Sequence, residues 1–252
     1  MKITKILSVV LAALMVAVAF VACGEKAADE NANNVLTMAT NAEFPPFEYL
    51  EDGKMVGAEI DMAYLIAEKL GMELEISNID FDAALTGAAT GKYDMALSGI
   101  TASEERKKNM NFTVPYYEAS QAIVVMADSE LAAAADLEGK TLSCQEGTTG
   151  ELFILEGNYT VQSYKTGAEA ISALTAGKVD AVVIDDAVAR ALSASQNGKT
   201  KVLDEALTKE EYAIALQKGD DELTAKISAA IEELKAEGKL NEIFDKYELP
   251  HN

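Results

Sequence analysis

The sequence predicts an α/β protein built from two lobes. Residues 35–99 alternate between apolar strand patterns and helical patterns, and the same alternation returns over residues 140–186. The segments TGKYDMALSG and AGKVDAVVID share a helix end, a Gly-Lys pair, an aspartate and a strand. Alternating strands and helices favour parallel pairing in a sheet. Two halves with one plan indicate two lobes, and convergent patterning of so short a match is the alternative.

The first half contains three predicted strands and two predicted helices. In chain order they are a strand over 35–40, a helix over 59–70, a strand over 72–77, a helix over 81–91 and a strand over 93–99. Gly71 and Gly91 end the two helices, because each glycine follows the last residue of the helical pattern. Two prolines flanked by aromatic residues predict a rigid loop in NAEFPPFEY (41–49), and EDG (51–53) predicts a turn.

The second half repeats this order and adds connections to the first. It contains a strand over 140–147, a helix over 149–155, a strand over 160–165, and a helix followed by a strand within 167–186. Extended segments at 118–127 and 210–219 would form a double hinge, and helices at 220–237 and 239–247 would return to the first lobe. The predicted boundaries are residues 35–122 for the N-terminal part of lobe 1, 123–211 for lobe 2 and 212–252 for the return to lobe 1.

The N-terminus has the pattern of an export signal. Lys2 and Lys5 precede an apolar run from Ile6 to Ala22, which ends at Cys23-Gly24. The run is shorter than the ~20 apolar residues that span a bilayer comfortably, although a signal-anchor helix is the alternative. We therefore predict a signal peptide over residues 1–22.

Cys23 is predicted to carry a lipid anchor. The sequence FVAC resembles the lipobox of bacterial lipoproteins, with Phe20 where leucine is usual. Two acyl chains on Cys23 would anchor the protein stably, and residues 23–34 would form a polar, flexible tether. A disulfide between Cys23 and Cys144 is the alternative. The tether lacks core-forming residues, however, so Cys144 is expected to be a lone buried thiol. We expect an exported protein on the outer face of the cytoplasmic membrane.

Composition excludes several classes of function. The chain has 42 acidic and 21 basic residues, giving a formal net charge of -21. Such acidity argues against nucleic acid as a partner and favours a soluble monomer. The single histidine, His251, is the penultimate residue, so histidine-based triads and histidine-rich metal sites are not available. No phosphate loop or dinucleotide fingerprint appears. We therefore expect no metal and no cofactor.

Five segments together resemble a known family. They are ATNAEFPPFEY, GAEIDMAYLIAEKLG, IDFDAALTGAATGKYDMALSGITASEERKKNMNFTVPYYE, DLEGKTLSCQEGTTGE and GKVDAVVIDDAVA. The chain after the tether resembles the polar-amino-acid solute-binding proteins of bacterial ABC transporters, family 3. The resemblance implies the type II fold of periplasmic binding proteins, with a double-strand hinge between two lobes. It also implies that the protein closes over a free amino acid and delivers it to ABC permease subunits.

The resemblance assigns roles to particular residues. Arg106 would hold the ligand carboxylate, together with backbone N–H groups of Thr101 and Thr149. The ligand ammonium would meet Asp185, the Thr101 hydroxyl and the Gly99 carbonyl. The remaining expected contacts are an aromatic sandwich and a polar lining, formed by Phe44, Phe81, Asn41, Ser98, Gln145 and Thr148.

The chemistry of these residue types agrees with the implied roles. A guanidinium is planar and permanently charged, so it can bind a carboxylate through two hydrogen bonds. Each role has an alternative: Arg106 could be solvated, Asp185 could cap the helix that begins near Asp186, and the two phenylalanines could belong to the core. Arg190 is expected to be an exposed helical residue.

The ligand is expected to be a neutral polar L-amino acid. Binders of Lys, Arg and His in this family often place an acid at the position of Asn41, which is neutral here. Glu43 or Glu48 could restore acidity if either pointed inward. Gln145 offers an amide where an anionic side chain would prefer a cation.

An enzyme on the same fold is the competing reading. A few relatives of this fold are dehydratases similar to cyclohexadienyl dehydratase, which use a pocket carboxylate as a general acid. Glu146 would be the candidate residue, and we predict that the protein is not an enzyme. An amino-acid sensor would use the same site and is a further alternative.

Overall fold

The computed structural model describes residues 34–157 and 159–251. The predicted signal peptide and the predicted lipidation site at Cys23 lie outside these residues. Across the described residues, no helix is long and apolar enough to span a membrane.

The first sheet has five strands in the order β5-β1-β6-β15-β7. Its strands are β1 (Val35–Thr40), β5 (Glu73–Asn78), β6 (Met95–Ala96), β7 (Met110–Phe112) and β15 (Ala215–Gln217). Strand β1 pairs in parallel with β5 and β6, and β15 runs antiparallel to β6 and β7. Helices α1 (Ala58–Leu70), α2 (Phe81–Ala89) and α3 (Glu104–Lys107) connect these strands. This sheet and its helices are called lobe 1.

The second sheet also has five strands, in the order β11-β10-β12-β9-β13. Its strands are β9 (Gln121–Met126), β10 (Thr141–Gln145), β11 (Thr160–Tyr164), β12 (Ala181–Asp185) and β13 (Thr200–Val202). Helices α4 (Thr149–Glu156), α5 (Gly167–Thr175) and α6 (Asp186–Ala194) connect them, with a 3-10 turn at Ala134–Leu137. Strand β10 is parallel to β11 and β12, and β9 is antiparallel to β12 and β13. This sheet and its helices are called lobe 2.

Two extended segments run between the lobes. Strands β8 (Tyr117–Ala119) and β14 (Glu210–Tyr212) pair antiparallel, with Ala119 opposite Glu210 and Tyr117 opposite Tyr212. The first leads from lobe 1 into strand β9 of lobe 2, and the second leads back into strand β15 of lobe 1. The predicted two-lobed fold with a double-strand hinge is thus confirmed.

The C-terminal helices close the chain on lobe 1. Helices α7 (Asp221–Ala236) and α8 (Lys239–Lys246) pack against α1. The Lys69 ammonium lies 3.1 Å from a carboxylate oxygen of Glu233 and 2.8 Å from one of Glu237. Such exposed ion pairs contribute little stability, so the apolar contact of the helices holds this return segment.

The predicted loop over 41–49 is instead part of a small sheet. Strands β2 (Glu43–Phe44), β3 (Glu48–Glu51) and β4 (Lys54–Val56) form an antiparallel meander. The prolines lie between β2 and β3, and the predicted turn at 51–53 joins β3 to β4. These strands have two to four residues, which is too short for an alternating pattern to be recognised in sequence.

The strand predicted over 93–99 is shorter than expected. Only Met95–Ala96 forms regular strand, although the Leu97 N–H still donates to the Ala39 carbonyl at 3.1 Å. The residues that follow leave the sheet and turn along its edge, where they line a cavity. These residues have a buried, strand-like sequence because they form the wall of a cleft.

Cys144 lies in the core of lobe 2, on strand β10. It is a free thiol with no exposed surface, packed in a cluster that includes Ile154 and Val183. Burial raises its pKa to about 11. The thiol is therefore protonated at neutral pH and is a poor nucleophile.

Candidate functional site

All eleven residues singled out as ligand contacts line one cavity between the lobes. Its walls are formed by Asn41, Phe44, Phe81, Ser98, Gly99, Thr101, Arg106, Gln145, Thr148, Thr149 and Asp185. Several of them follow the carboxyl ends of parallel strands β1, β6, β10 and β12, where α/β sheets form their binding clefts. The structure thus brings together residues that are as far as 144 positions apart, from Asn41 to Asp185.

Arg106 reaches across the cavity from helix α3 of lobe 1. Its guanidinium donates to the carbonyl of Thr101 at 3.0 Å and to the carbonyl of Gly147, in lobe 2, at 3.1 Å. The same group lies 5.5 Å from the centre of the Phe81 ring, a cation–π distance. Burial lowers the pKa of Arg106, while the carboxylates of Asp185 and Glu210 act in the opposite direction. The guanidinium remains charged at neutral pH.

Asp185 faces the cavity from lobe 2, at the end of strand β12. Helix α6 starts at the next residue, yet the Asp185 side chain makes no capping hydrogen bond to it. Its carboxylate instead accepts a hydrogen bond from the Tyr212 hydroxyl at 2.5 Å. Burial, followed by the charge of Glu210, raises the pKa of Asp185 to about 7. The capping alternative does not fit this geometry.

The aromatic walls belong to lobe 1. Phe44 and Phe81 are both buried, at 6% and 7% exposure, and both line the cavity. Gly99 adopts a φ of +55°, and a Cβ there would lie 2.6 Å from a Phe44 ring carbon. Glycine is therefore required at this position, because it lets the backbone approach the ring.

The floor of the cavity is a neutral amide pair. The Gln145 Nε2 donates to the Asn41 Oδ1 at 3.0 Å, which joins the end of β10 to the end of β1 across the two lobes. Glu43 is exposed, whereas Glu48 is buried behind the cavity wall and accepts a hydrogen bond from the Ser98 hydroxyl at 3.0 Å. Neither glutamate is among the cavity-lining residues.

A tight loop carries Gln145 to Thr149. Gly147 has a φ of +77°, and a Cβ there would lie 1.9 Å from the Asp82 Oδ1 of lobe 1. The Gly147 N–H donates to the Glu151 carboxylate at 2.8 Å, and the Thr148 hydroxyl caps helix α4. Thr149 is the first residue of α4, where N–H groups have no partner within the helix. Its N–H is therefore suited to bind an anion.

The burial of two glutamates behind the lobe 1 wall was not anticipated from sequence, which raised Glu48 only as an acid that could point into the cavity. Glu48 and Glu59 have 0% and 1% exposure. Glu59 accepts hydrogen bonds from the Gly99 N–H at 2.9 Å and the Tyr116 hydroxyl at 2.5 Å. Burial and the neighbouring Glu59 raise the pKa of Glu48 well above its ordinary value. Burial raises the pKa of Glu59 as well, while its hydrogen bonds from Tyr116 and Gly99 act in the opposite direction.

A third unanticipated carboxylate, Glu210, lies on hinge strand β14. It is 6% exposed and accepts hydroxyl hydrogen bonds from Thr101 at 2.5 Å, Thr149 at 2.8 Å and Thr208 at 2.8 Å. No local signal in the sequence marks Glu210, because the next residue, Glu211, is also acidic yet exposed, and the whole chain is highly acidic.

The remaining chemical alternatives find little support in the geometry. Glu146 pairs with Lys165 at 2.5 Å, has a side chain 45% exposed and is not among the cavity-lining residues. Within the described ranges, no group of His, Cys, Asp and Glu side chains is arranged to hold a metal ion.

Comparison with a family model identifies what this arrangement is similar to. Residues 36–250 match the model of the bacterial extracellular solute-binding proteins, family 3. The match covers almost all of the described chain.

Individual relatives agree with the family match. The arginine-binding extracellular protein ArtP of Bacillus subtilis is 32% identical over 244 residues, covering 94% of this chain and 95% of that protein. The L-cystine-binding protein TcyJ of Escherichia coli K12 is 28% identical over 217 residues, covering 84% and 82%. A solved structure described as an ancestral arginine-binding protein bound to glutamine superposes with a TM-score of 0.81. It is 39% identical and covers 85% of this chain and 98% of its own.

Proposed function

The chain belongs to family 3 of the bacterial extracellular solute-binding proteins and is an amino-acid-binding protein of an ABC transporter; we propose that the cavity between its lobes holds the ligand, a neutral polar L-amino acid. The observation that carries the site is the pair Arg106 and Asp185. They present opposite charges to one cavity from different lobes. A zwitterion is the ligand whose charges match both.

The proposed pose uses each wall for one part of the ligand. The carboxylate binds the Arg106 guanidinium and the N–H groups of Thr101 and Thr149. The ammonium binds Asp185, with the Thr101 hydroxyl and Gly99 carbonyl as further acceptors. The side chain lies between the two phenylalanines, and its polar end reaches the remaining lining residues, Asn41, Ser98, Gln145 and Thr148.

Closure of the hinge follows from this placement. Ligand contacts with lobe 1 and lobe 2 can form together only when the lobes meet. The ligand therefore binds the closed form more tightly than the open form and shifts the population towards it. A permease can then distinguish loaded from empty protein by shape.

The neutral floor supports the choice of ligand. Asn41 and Gln145 provide amide donors and acceptors but no net charge. One relative by structure, named as an ancestral arginine-binding protein, is described as bound to glutamine, and a structure of the same name is described as bound to arginine. The sharpest test is a thermal-shift panel of the common L-amino acids with cystine and ornithine. We expect L-glutamine or another neutral polar amino acid to raise the melting temperature most, by mass action. A largest shift from L-arginine would contradict the neutral assignment, and no shift with any amino acid would contradict the site.

We also propose that Cys23 carries the lipid that retains the protein on the outer face of the cytoplasmic membrane. Support comes from the FVAC sequence, the preceding apolar run and the polar tether that follows. The Cys23→Ser variant should leave the membrane fraction in a fractionation experiment, because serine has no thiol to carry the acyl chains that anchor the protein. Unchanged membrane retention would favour the signal-anchor alternative.

A further inference from the structure

We propose that Glu210 is a positioning residue that clasps the two lobes together and orients the threonine hydroxyls of the binding site. The inference rests on the proposed function of the cavity. Its basis is one carboxylate on the hinge that contacts a cavity-lining residue of each lobe.

The geometry of the clasp is specific. Glu210 Oε2 accepts the hydroxyl of Thr101, in lobe 1, at 2.5 Å and the hydroxyl of Thr149, in lobe 2, at 2.8 Å. Glu210 Oε1 accepts the hydroxyl of Thr208, two residues earlier, at 2.8 Å. The carboxylate is shielded from bulk water, since Glu210 is only 6% exposed. Hydrogen bonds to a buried carboxylate are stronger than those between neutral groups.

The clasp fixes which way each hydroxyl can act. A threonine hydroxyl has one proton and two lone pairs. The Thr101 hydroxyl donates its hydrogen bond to Glu210. Its oxygen can therefore contact a ligand ammonium only as an acceptor. The Thr149 hydroxyl accepts a hydrogen bond from the buried Gln121 Nε2 at 3.2 Å and donates one to Glu210. The carboxylate thereby prevents the Thr101 proton from facing the ligand's positive charge.

The clasp also contributes to closure before any ligand arrives. Thr101 and Thr149 lie on different lobes, so both can reach one oxygen only when the lobes are together. Separation of the lobes breaks at least one of the two bonds and leaves a buried carboxylate with fewer partners. Glu210 should therefore raise the closed population of the ligand-free protein, and with it the apparent affinity.

The charge of Glu210 acts on the same site. Arg106, Asp185, Tyr212 and Gln121 all face this region, from α3, β12, β14 and β9. Glu210 raises the pKa of Asp185 and helps to keep Arg106 protonated despite burial. Removing only the charge, with the hydrogen bonds kept, separates this effect from the clasp.

The test compares two variants of Glu210 with a matched control. Glu210→Ala removes the clasp and the charge. Glu210→Gln keeps an amide oxygen for the two threonine hydroxyls and can donate to Thr208, but it removes the charge. Glu211→Ala deletes the adjacent, exposed acid of the same hinge strand and controls for net charge and hinge composition.

The first readout needs no ligand. Small-angle X-ray scattering should give a larger radius of gyration for ligand-free Glu210→Ala than for wild type, Glu210→Gln and Glu211→Ala. Equal radii for all four proteins, at equal melting temperature, would overturn the clasp.

The second readout is calorimetric titration with L-glutamine and L-arginine. Glu210→Ala should bind roughly 10- to 100-fold more weakly than wild type, the effect of losing hydrogen bonds to a charged group. Glu210→Gln should bind within about tenfold of wild type at neutral pH and hold its affinity to a lower pH, because the pKa of Asp185 falls. An unchanged pH profile in Glu210→Gln, or unchanged affinity in Glu210→Ala, would contradict the inference.

Failures of the two proposals are distinguishable. If wild type binds no amino acid in the thermal-shift panel, the proposed function fails, whereas the scattering comparison still tests the clasp. If Glu210→Ala does not fold, Thr149→Val removes the lobe 2 hydroxyl alone and should also enlarge the ligand-free protein. No enlargement in a folded Thr149→Val protein would count against the clasp.

Discussion

The two walls of the cavity differ in how they carry charge. Lobe 1 contributes Arg106, whose guanidinium stays protonated throughout the physiological range. Lobe 2 contributes Asp185, whose pKa is raised to about 7 by burial and by Glu210. The half of the site on lobe 1 is thus charged at every relevant pH, while the half on lobe 2 must lose a proton to be charged. A change of pH in the physiological range should therefore alter the charge of the lobe 2 half and leave that of the lobe 1 half unchanged.

The largest expected effect comes from removing the permanent charge of lobe 1. Arg106→Ala should lose roughly 2–5 kcal/mol of binding free energy, because a buried ligand carboxylate would keep no cationic partner. Arg106→Lys should recover only part of this loss, since an ammonium lacks the planar, two-donor geometry. Isothermal titration with the amino acid found in the thermal-shift panel measures both.

The second arginine is the matched control for this experiment. Arg190 lies on α6 with a side chain 53% exposed, paired with Asp186 at 2.6 Å. Arg190→Ala removes the same charge outside the cavity and should change affinity within error, as exposed pairs contribute ~0–1 kcal/mol even to stability. Similar losses in Arg106→Ala and Arg190→Ala would show that net charge, and not the site, governs binding.

The titratable wall of lobe 2 should make binding depend on pH. In the ligand-free protein Asp185 is protonated below a pKa of about 7, and an ammonium ligand favours the ionised form. Affinity should therefore fall by up to about tenfold per pH unit below that pKa, with proton release on binding near neutrality. Titrations in buffers of different ionisation enthalpy, from about pH 5 to about pH 8, measure both quantities.

The raised pKa of Asp185 also makes the free energy of unfolding depend on pH. Folding raises the pKa of Asp185 from 3.8 to about 7, so the ionised side chain is less favourable in the folded, ligand-free protein. Its contribution to the free energy of unfolding is greatest below the lower value and is lost as pH rises through the higher one. Asp185→Asn should abolish this part of the pH dependence and bind ligand more weakly at every pH. A pH-independent affinity in wild type would remove the contrast between the lobes.

The residues that the sequence identified differ in kind from those it missed. Arg106, Asp185 and the strand-end residues lie in contiguous motifs after buried strands, where parallel sheets form their clefts. Glu48, Glu59 and Glu210 act behind the wall through contacts between distant positions, such as Glu59 with Gly99 and Glu210 with Thr149. Nothing local separates these glutamates from the many exposed acids of a chain with net charge -21. Burial alone distinguishes them, and burial of a single polar residue depends on tertiary structure.

The smallest expected effect concerns the acid pair that supports the lobe 1 wall. Burial and the neighbouring Glu59 raise the pKa of Glu48 well above its ordinary value, so Glu48→Gln, a neutral side chain of similar shape, should change melting temperature and affinity little at neutral pH. Glu59→Gln instead replaces the carboxylate that receives the Gly99 N–H and the Tyr116 hydroxyl. It should lower the free energy of unfolding by about 1–3 kcal/mol and weaken binding through the displaced Gly99.

Alkaline unfolding separates the two glutamates further. The pKa of Glu48 is raised in the folded protein, so its contribution to stability is full at low pH and is lost as pH rises through the raised value. Glu48→Gln should therefore flatten the stability profile on the alkaline side, as followed by thermal melts over a pH series. Equal destabilisation by both substitutions would mean that the two carboxyl groups are equivalent. The lobe 1 wall would then rest on a symmetric pair of carboxyl groups, while its permanent charge, on Arg106, would be unaffected.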